Sequence, residues 1–379
     1  MRIKVLFLPT WYPWPEDQVR GIFVQEHAKS ARLFDDVAVL CGKPAPITDR
    51  CVRIQMSVEE GLPTFRFTYP ELRVPYTFWL SYTWGVLRAF RKVLRQWGRP
   101  DVIHAQEPHS AIAGLFLHYL YDIPYVVSEH CSAFGRHTLN LSWRVLARLS
   151  YPRARRVLGV NRNFPRDFAY YSFTCNFRWL PNSIDTEVFY PPTLPEKQPI
   201  VLHCSMFREL KRVPDLVRAF ALVQEDFPQT RLELVGDGEK RPFTEQLAQE
   251  LLRSGSYTFH GVLSKPPLAE LMRRAAVFVL PSQFETQSCV LLEAMACGTP
   301  VIATPVGDIP YFVGADQGIL IEPGDIKALA AALKAILGGS RTFNPALLTA
   351  SVAGTFSQAA VGRLLHEEHA RAAGLLSWR

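Results

Sequence analysis

Two glutamates, Glu285 and Glu293, stand eight positions apart on either side of an apolar run, Cys289 to Leu292. Residues 275–280, Ala-Ala-Val-Phe-Val-Leu, read as a buried parallel strand that ends at Pro281. Gly298 and Pro300 are stop signals for a helix, which is predicted to begin within 286–288. Residues 301–304 read as the next strand. Glu285 is therefore expected at the carboxyl end of a strand, where doubly wound sheets bind their ligands. The free N–H groups of a helix start follow it, and such groups bind anions. Arg208, Lys211 and Arg212 follow another predicted strand, 200–204. A cationic first helical turn opposes the helix dipole, so it costs stability unless an anion sits there. A glycine loop, Gly236-Asp237-Gly238, follows strand 231–235; by itself a lone Gly-x-Gly reads equally as a ligand-binding loop or as a plain β-to-α turn.

Strands and helices must alternate to place these residues. In the first half, 3–8, 37–40, 102–104, 125–128 and 157–160 read as strands. Between them 21–33, 82–97, 112–121 and 141–150 read as helices. The second half repeats the plan, with strands at 200–204, 231–235, 258–260, 276–280, 301–303 and 318–321. Its helices fall at 213–225, 241–254, 266–275, 290–296 and 326–337. This is βαβ alternation, hence an α/β protein with mostly parallel sheets. Prolines and turn formers over 180–192 mark a linker. The expected domains are 1–182, 183–357 and a C-terminal helix, 358–379.

The composition is globular, 48% hydrophobic and 20% charged. No apolar run is long enough to span a bilayer. Residues 1–9 read as a first strand and not as a signal peptide. Seven scattered cysteines show neither metal-type nor disulfide-type spacing, which fits reduced thiols and a cytoplasmic setting. The net charge of +7 is uneven: 24 Lys+Arg face 14 Asp+Glu over 1–180, against 18 and 21 over the rest. The first half is thus suited to an anionic partner. No nucleic-acid motif is present.

The stretch 284–310 resembles the E-x7-E region of retaining, GT-B-fold glycosyltransferases of the family 4 type. The resemblance implies two Rossmann-like domains facing each other across a cleft. It implies transfer of a sugar from a nucleotide-diphosphate sugar to a glycan or lipid-linked acceptor. Glu285 matches the glutamate that holds donor-sugar hydroxyls, and Glu293 the one that holds the ribose. Arg208 and Lys211 lie where the family places its cations on the diphosphate. Gly236 and Gly238 match its G-x-G loop, and His260-Gly261 its F-x-G stretch by the base. Gln287 and Ser288 replace the common Phe and Gly where the backbone, on through Cys289, contacts the donor. In the first half Gly21 matches a glycine loop at the donor phosphate, with Arg20 in place of a second glycine. Ser128-Glu129-His130 resembles the T-x-H motif, which gives His130 a contact with the donor sugar. His104 matches a family motif and is equally readable as structural. Ser183 replaces the glycine of the family's hinge segment.

By the same resemblance no metal and no cofactor are expected. The setting implied is cell-envelope or exopolysaccharide biosynthesis. Competing readings are a GT-B-fold nucleotide-sugar epimerase and a binding protein that has lost catalysis. Residues 84–99 are amphipathic, with Arg88, Arg91, Lys92, Arg95 and Arg99 on one face. With Arg144, Arg148, Arg153, Arg155 and Arg156 this reads either as a peripheral docking surface for anionic lipid or as a core-facing helix with a solvated basic back.

Overall fold

Leu6 and Leu8 pack on one face of a sheet and Val5 and Phe7 on the other, and all four are fully buried. A strand apolar on both sides has to be covered on both sides, and each such side chain contributes about 1.5–3 kcal/mol by leaving water. The computed structural model describes residues 2–46, 53–71, 77–193 and 197–377. It divides into two compact units, Met1–Ser183 with Gln358–Arg379, and Ile184–Ser357.

The first unit holds strands β1 (Lys4–Leu8), β2 (Asp36–Ala45), β3 (Ile54–Glu59), β4 (Leu62–Pro70), β5 (Val102–Gln106), β6 (Tyr125–Glu129), β7 (Val157–Gly159) and β8 (Phe177–Trp179). Their order is β3-β4-β2-β1-β5-β6-β7-β8. Every pair is parallel except the β3–β4 hairpin, which turns at Glu60-Gly61, both at positive φ. Helices α1 (Ile22–Arg32), α2 (Phe78–Gln96), α3 (Glu107–Tyr121), α4 (Ser132–Gly135), α5 (Leu141–Ser150) and α6 (Phe164–Tyr170) fill the connections. Tyr82, Phe90 and Val93 of α2 pack against Leu40 and Ile103 on one face of the sheet. The apolar side of α2 is thus spent on the core, while Arg88, Arg91 and Arg95 point to solvent.

The second unit is a six-stranded parallel sheet, β9 (Gln198–Cys204), β10 (Arg231–Val235), β11 (Tyr257–Gly261), β12 (Ala275–Leu280), β13 (Val301–Ala303) and β14 (Gly318–Leu320). Its order is β11-β10-β9-β12-β13-β14, so the chain reverses direction across the sheet between β9 and β12. Helices α7 (Val213–Ala221), α8 (Arg241–Leu251), α9 (Lys265–Arg274), α10 (Cys289–Ala296), α11 (Ile326–Leu337) and α12 (Pro345–Phe356) cover it.

The last helix, α13 (Gln358–Ala372), belongs to the first unit and packs beside α1 on the face opposite α2. Gln358 Nε2 donates to Glu26 Oε2 at 2.7 Å. Asp35 accepts from His366 at 2.5 Å and from His369 at 2.8 Å. Buried Glu368 gathers Arg156, Arg178 and Arg371.

The structure differs from the sequence reading in several places. The β3–β4 hairpin, β8, α4, α6 and α12 are additional elements. Helix α10 starts at Cys289, one residue beyond the expected window, because Ser288 stays extended as its cap. Helix α3 begins five residues early, at Glu107, with Pro108 in its first turn, where a missing N–H costs nothing. Cys51 lies outside the described residues.

Candidate functional site

In the second unit the loop 281–288 is pinned on both sides. Gln283 N donates to Leu210 O at 2.7 Å, and Asp308 N donates to Thr286 O at 3.1 Å. Between these two bonds stands Glu285, almost fully buried, and Lys211 Nζ donates to its Oε1 at 2.6 Å. The lysine makes burial of the carboxylate affordable and holds it in one rotamer. Arg208 caps the short turn 209–211, lies exposed and has no side-chain partner among the described residues. Arg212 is committed elsewhere: it starts α7 at φ 51° and its Nε donates to Asp215 at 2.6 Å. At this strand end Lys211 is therefore paired with Glu285, Arg212 with Asp215, and Arg208 has no ion-pair partner among the described residues.

Glu293 is half-buried on α10. Burial, and after it the charge of Glu293, pushes the Cys204 thiol up to about 12, and Lys211 opposes the shift. Cys204 ends β9, so Glu293 and Lys211 act on the same strand end. Gln287 Nε2 makes a long 3.4 Å bond to Asp308. Ser288 caps α10 without a side-chain bond, and Cys289 is the first helical residue, so the first amides of α10 are not consumed by that cap. Gly236 has φ 122°, and a Cβ there would lie 1.8 Å from Ser205 O. Only glycine fits that turn; Gly238 follows in the same loop. His260 Nε2 bonds Glu233 at 2.6 Å one strand away.

In the first unit Gly21 caps α1 at φ 76°, and a Cβ there would lie 2.4 Å from Trp11 O. Arg20 lies over the Trp11 ring at 5.5 Å and forms no ion pair among the described residues. Trp11, Trp14, Arg20, Lys43, Tyr69 and Phe78 line a cavity of about 300 Å³ at the carboxyl ends of β1 and β2. His130 follows β6; its Nε2 lies 2.9 Å from Gln106 Oε1. Burial, with His27 beside it, holds the imidazole well below its ordinary pKa against the opposing Asn182. His130 is thus neutral at pH 7 and is disposed to hydrogen bonding rather than to charge.

Two features were not legible in the sequence. His104 is fully buried in a chain of bonds: its Nε2 lies 2.7 Å from Ser128 Oγ, its Nδ1 2.9 Å from His369, and His369 lies against Asp35. That network anchors α13, which favours the structural reading of His104. The second is Glu107 at the end of β5. It sits at φ 64°, is 2% exposed, and neither carboxylate oxygen has a partner. Ligand atoms of Glu107, Glu129 and Cys131 lie within 4.8 Å of one another, the one such metal-compatible group among the described residues. Burial pushes both carboxyl groups above their usual range, and Glu129 further raises Glu107. A protonated carboxyl pair suits this setting better than two charges. No motif signals it, because it joins two strand ends remote in sequence.

Comparisons with known proteins agree with this architecture. Residues 185–342 match the family described as glycosyl transferases group 1, and residues 27–171 match the glycosyl transferase 4-like domain. A sulfoquinovosyl transferase of Arabidopsis thaliana is 29% identical over 271 residues, which cover 64% of this chain and 51% of that one. An N-acetyl-alpha-D-glucosaminyl L-malate synthase of Bacillus anthracis is 40% identical over 136 residues, 36% of this chain and 35% of that one. The chain thus spans about half or less of these curated relatives. Among solved structures, a sucrose-phosphate synthase from Thermosynechococcus elongatus superposes with a TM-score of 0.77 at 22% identity, over 98% of this chain and 100% of that one. An Anabaena protein solved with UDP-glucose gives 0.74 at 20% identity, over 97% and 99%. The two family matches fall one on each unit, their succession repeats along the chain the order of the sheets, and by them this protein belongs to the group 1 glycosyltransferases on the GT-B fold.

Proposed function

We propose that this chain moves a glycosyl group from a nucleotide-diphosphate sugar to a hydroxyl of a glycan or lipid-linked acceptor, with retention of configuration. The observation that carries the reading is Glu285, buried at the end of β12 and held at 2.6 Å by Lys211 beside the unpaired Arg208. Arg208, Lys211 and the first amides of α10 suit a diphosphate, whose charge grows as the sugar departs. Glu285 accepts donor-sugar hydroxyls, and Glu293 accepts those of the ribose. The bond between the anomeric carbon and the phosphate oxygen breaks, and the acceptor oxygen bonds to that carbon. The acceptor proton passes to the leaving phosphate. His130, neutral, offers a hydrogen bond to the sugar. The aromatic cavity of the first unit suits the face of an acceptor sugar ring. That solved relatives of the fold carry UDP and UDP-glucose supports a nucleotide-sugar donor.

The test is thermal unfolding of the protein with UDP, GDP, ADP and their common sugar conjugates. One nucleotide is expected to stabilise, and Glu293→Ala to reduce the shift. Absence of any shift would remove the donor site. Nucleotide release on adding acceptors, lost in Glu285→Ala, would then establish transfer.

A further inference from the structure

We propose that the outer face of α2, α3 and α5 is a docking surface for an anionic membrane leaflet. The three helices lie side by side on one face of the first unit's sheet, α2 against α3 and α3 against α5. They carry one acidic residue between them, Glu107, and it is buried. Their solvent side holds Arg88, Arg91, Arg95, Arg144 and Arg148. None of the five has a carboxylate within ion-pair distance among the described residues. A solvated helix back ordinarily mixes both signs, as α7, α8 and α9 of the second unit do.

Apolar side chains stand exposed between these arginines: Trp84 on α2, Phe116 and Leu120 on α3, Val145 and Leu149 on α5. The apolar stripe of α2 itself is consumed by the core, so the interfacial residues come largely from its neighbours. Exposed apolar groups set among unpaired cations match the boundary between acyl chains and anionic headgroups. A second copy of this chain is a poor occupant, since it would set arginine against arginine. At the lower end of the face, Tyr119 borders a cavity of about 490 Å³ that Arg153 and Arg155 also line, room for a lipid headgroup. At the upper end, ring contacts run from Phe78 through His109 and Trp143 to Trp11 in the aromatic cavity. Docking by this face would bring a lipid-linked substrate toward that cavity. The docking surface itself does not depend on which reaction the chain catalyses.

The experiment is flotation of the full chain with vesicles of phosphatidylcholine alone and of phosphatidylcholine mixed with phosphatidylglycerol. Binding is expected only with the anionic lipid and to weaken as salt is raised. The double variant Arg91→Glu, Arg95→Glu should lower vesicle affinity by at least about tenfold, since each basic side chain near an anionic surface is worth about fivefold. Leu149→Ser should weaken binding while leaving its salt dependence, and both variants should keep the wild-type unfolding temperature and nucleotide response without vesicles. Equal binding to neutral vesicles, no binding to either, or unchanged binding of a folded charge-reversed variant would overturn the proposal. Association of the protein with itself in sedimentation, abolished by the same variants, would assign the face to a second copy instead.

Discussion

The strand ends of the two units handle buried carboxylates in opposite ways. In the second unit Glu285 is buried with Lys211 at 2.6 Å, and Arg208 stands unpaired beside them after β9. In the first unit Glu107 is buried with no partner, four histidines are held below their ordinary pKa by burial, and Arg88, Arg91 and Arg95 of α2 face outward. The second unit thus leaves a cation open beside a paired carboxylate, which is what the proposed donor would use. The first keeps the groups around Glu107 and His130 neutral, and its buried charges, Asp35 and Glu368, are paired where α13 packs. All eight tryptophans lie in the first unit's sequence, so indole fluorescence follows that unit while far-ultraviolet dichroism follows both.

The largest expected effect is at the paired site. Glu285→Ala should lower the rate of nucleotide release in the presence of acceptor by about 10²–10³-fold, with thermal stability near wild type. A near-normal rate in a folded variant would separate this pair from catalysis.

Asp35→Ala strips the acceptor from His366 and His369 and should destabilise the first unit by about 2–3 kcal/mol. The urea midpoint seen by fluorescence should drop more than the late phase seen by dichroism. Coincident drops would mean that the units unfold as one.

Acid should divide the units next. His27 and His109 are held at about 4, and His104 and His130 well below 6.5. Each stays neutral when folded but takes a proton when unfolded, so its contribution is lost as pH falls below the unfolded value. Glu107 and Glu129 act with the opposite sign: protonated when folded, they favour the folded state as pH falls through the neutral range. Four groups outweigh two below the histidine value, so the first unit should be most stable near pH 6.5 and lose about 1–2 kcal/mol per pH unit toward pH 5. The second unit has only His203 of this kind, held at about 4, and should change less. Fluorescence and dichroism midpoints at pH 6.5 and 5 check this; equal shifts would refute it.

The smallest effect is at helix caps. Asn140 accepts from Trp143 N at 2.9 Å at the start of α5, and Asp325 accepts from Ala328 N at 2.8 Å at the start of α11. Replacing either by alanine should cost about 1 kcal/mol, and only Asn140→Ala should move the fluorescence transition.

The parallel strands and their covering helices were readable because a strand buried on both faces announces itself as a short apolar run bounded by turn residues. That Glu285, Arg208 and Lys211 follow strand ends was readable because each comes shortly after such a run. The β3–β4 hairpin was missed: its strands have polar and apolar residues mixed, with β3 largely exposed at the sheet edge. Residues 84–99 were correctly seen as two-faced, yet periodicity does not say what covers the apolar face.

What the chain determined by itself was local: which segments are strands, where helices stop, and which charged residues follow a strand end. Those depend on side-chain pattern and backbone freedom over a few residues. Only the tertiary structure decided that Lys211 meets Glu285 across 74 positions, that His104 and His369 join across 265, and that Glu107 is buried without a partner. Burial and pairing depend on neighbours brought together by the sheet order, and no short window of sequence contains them.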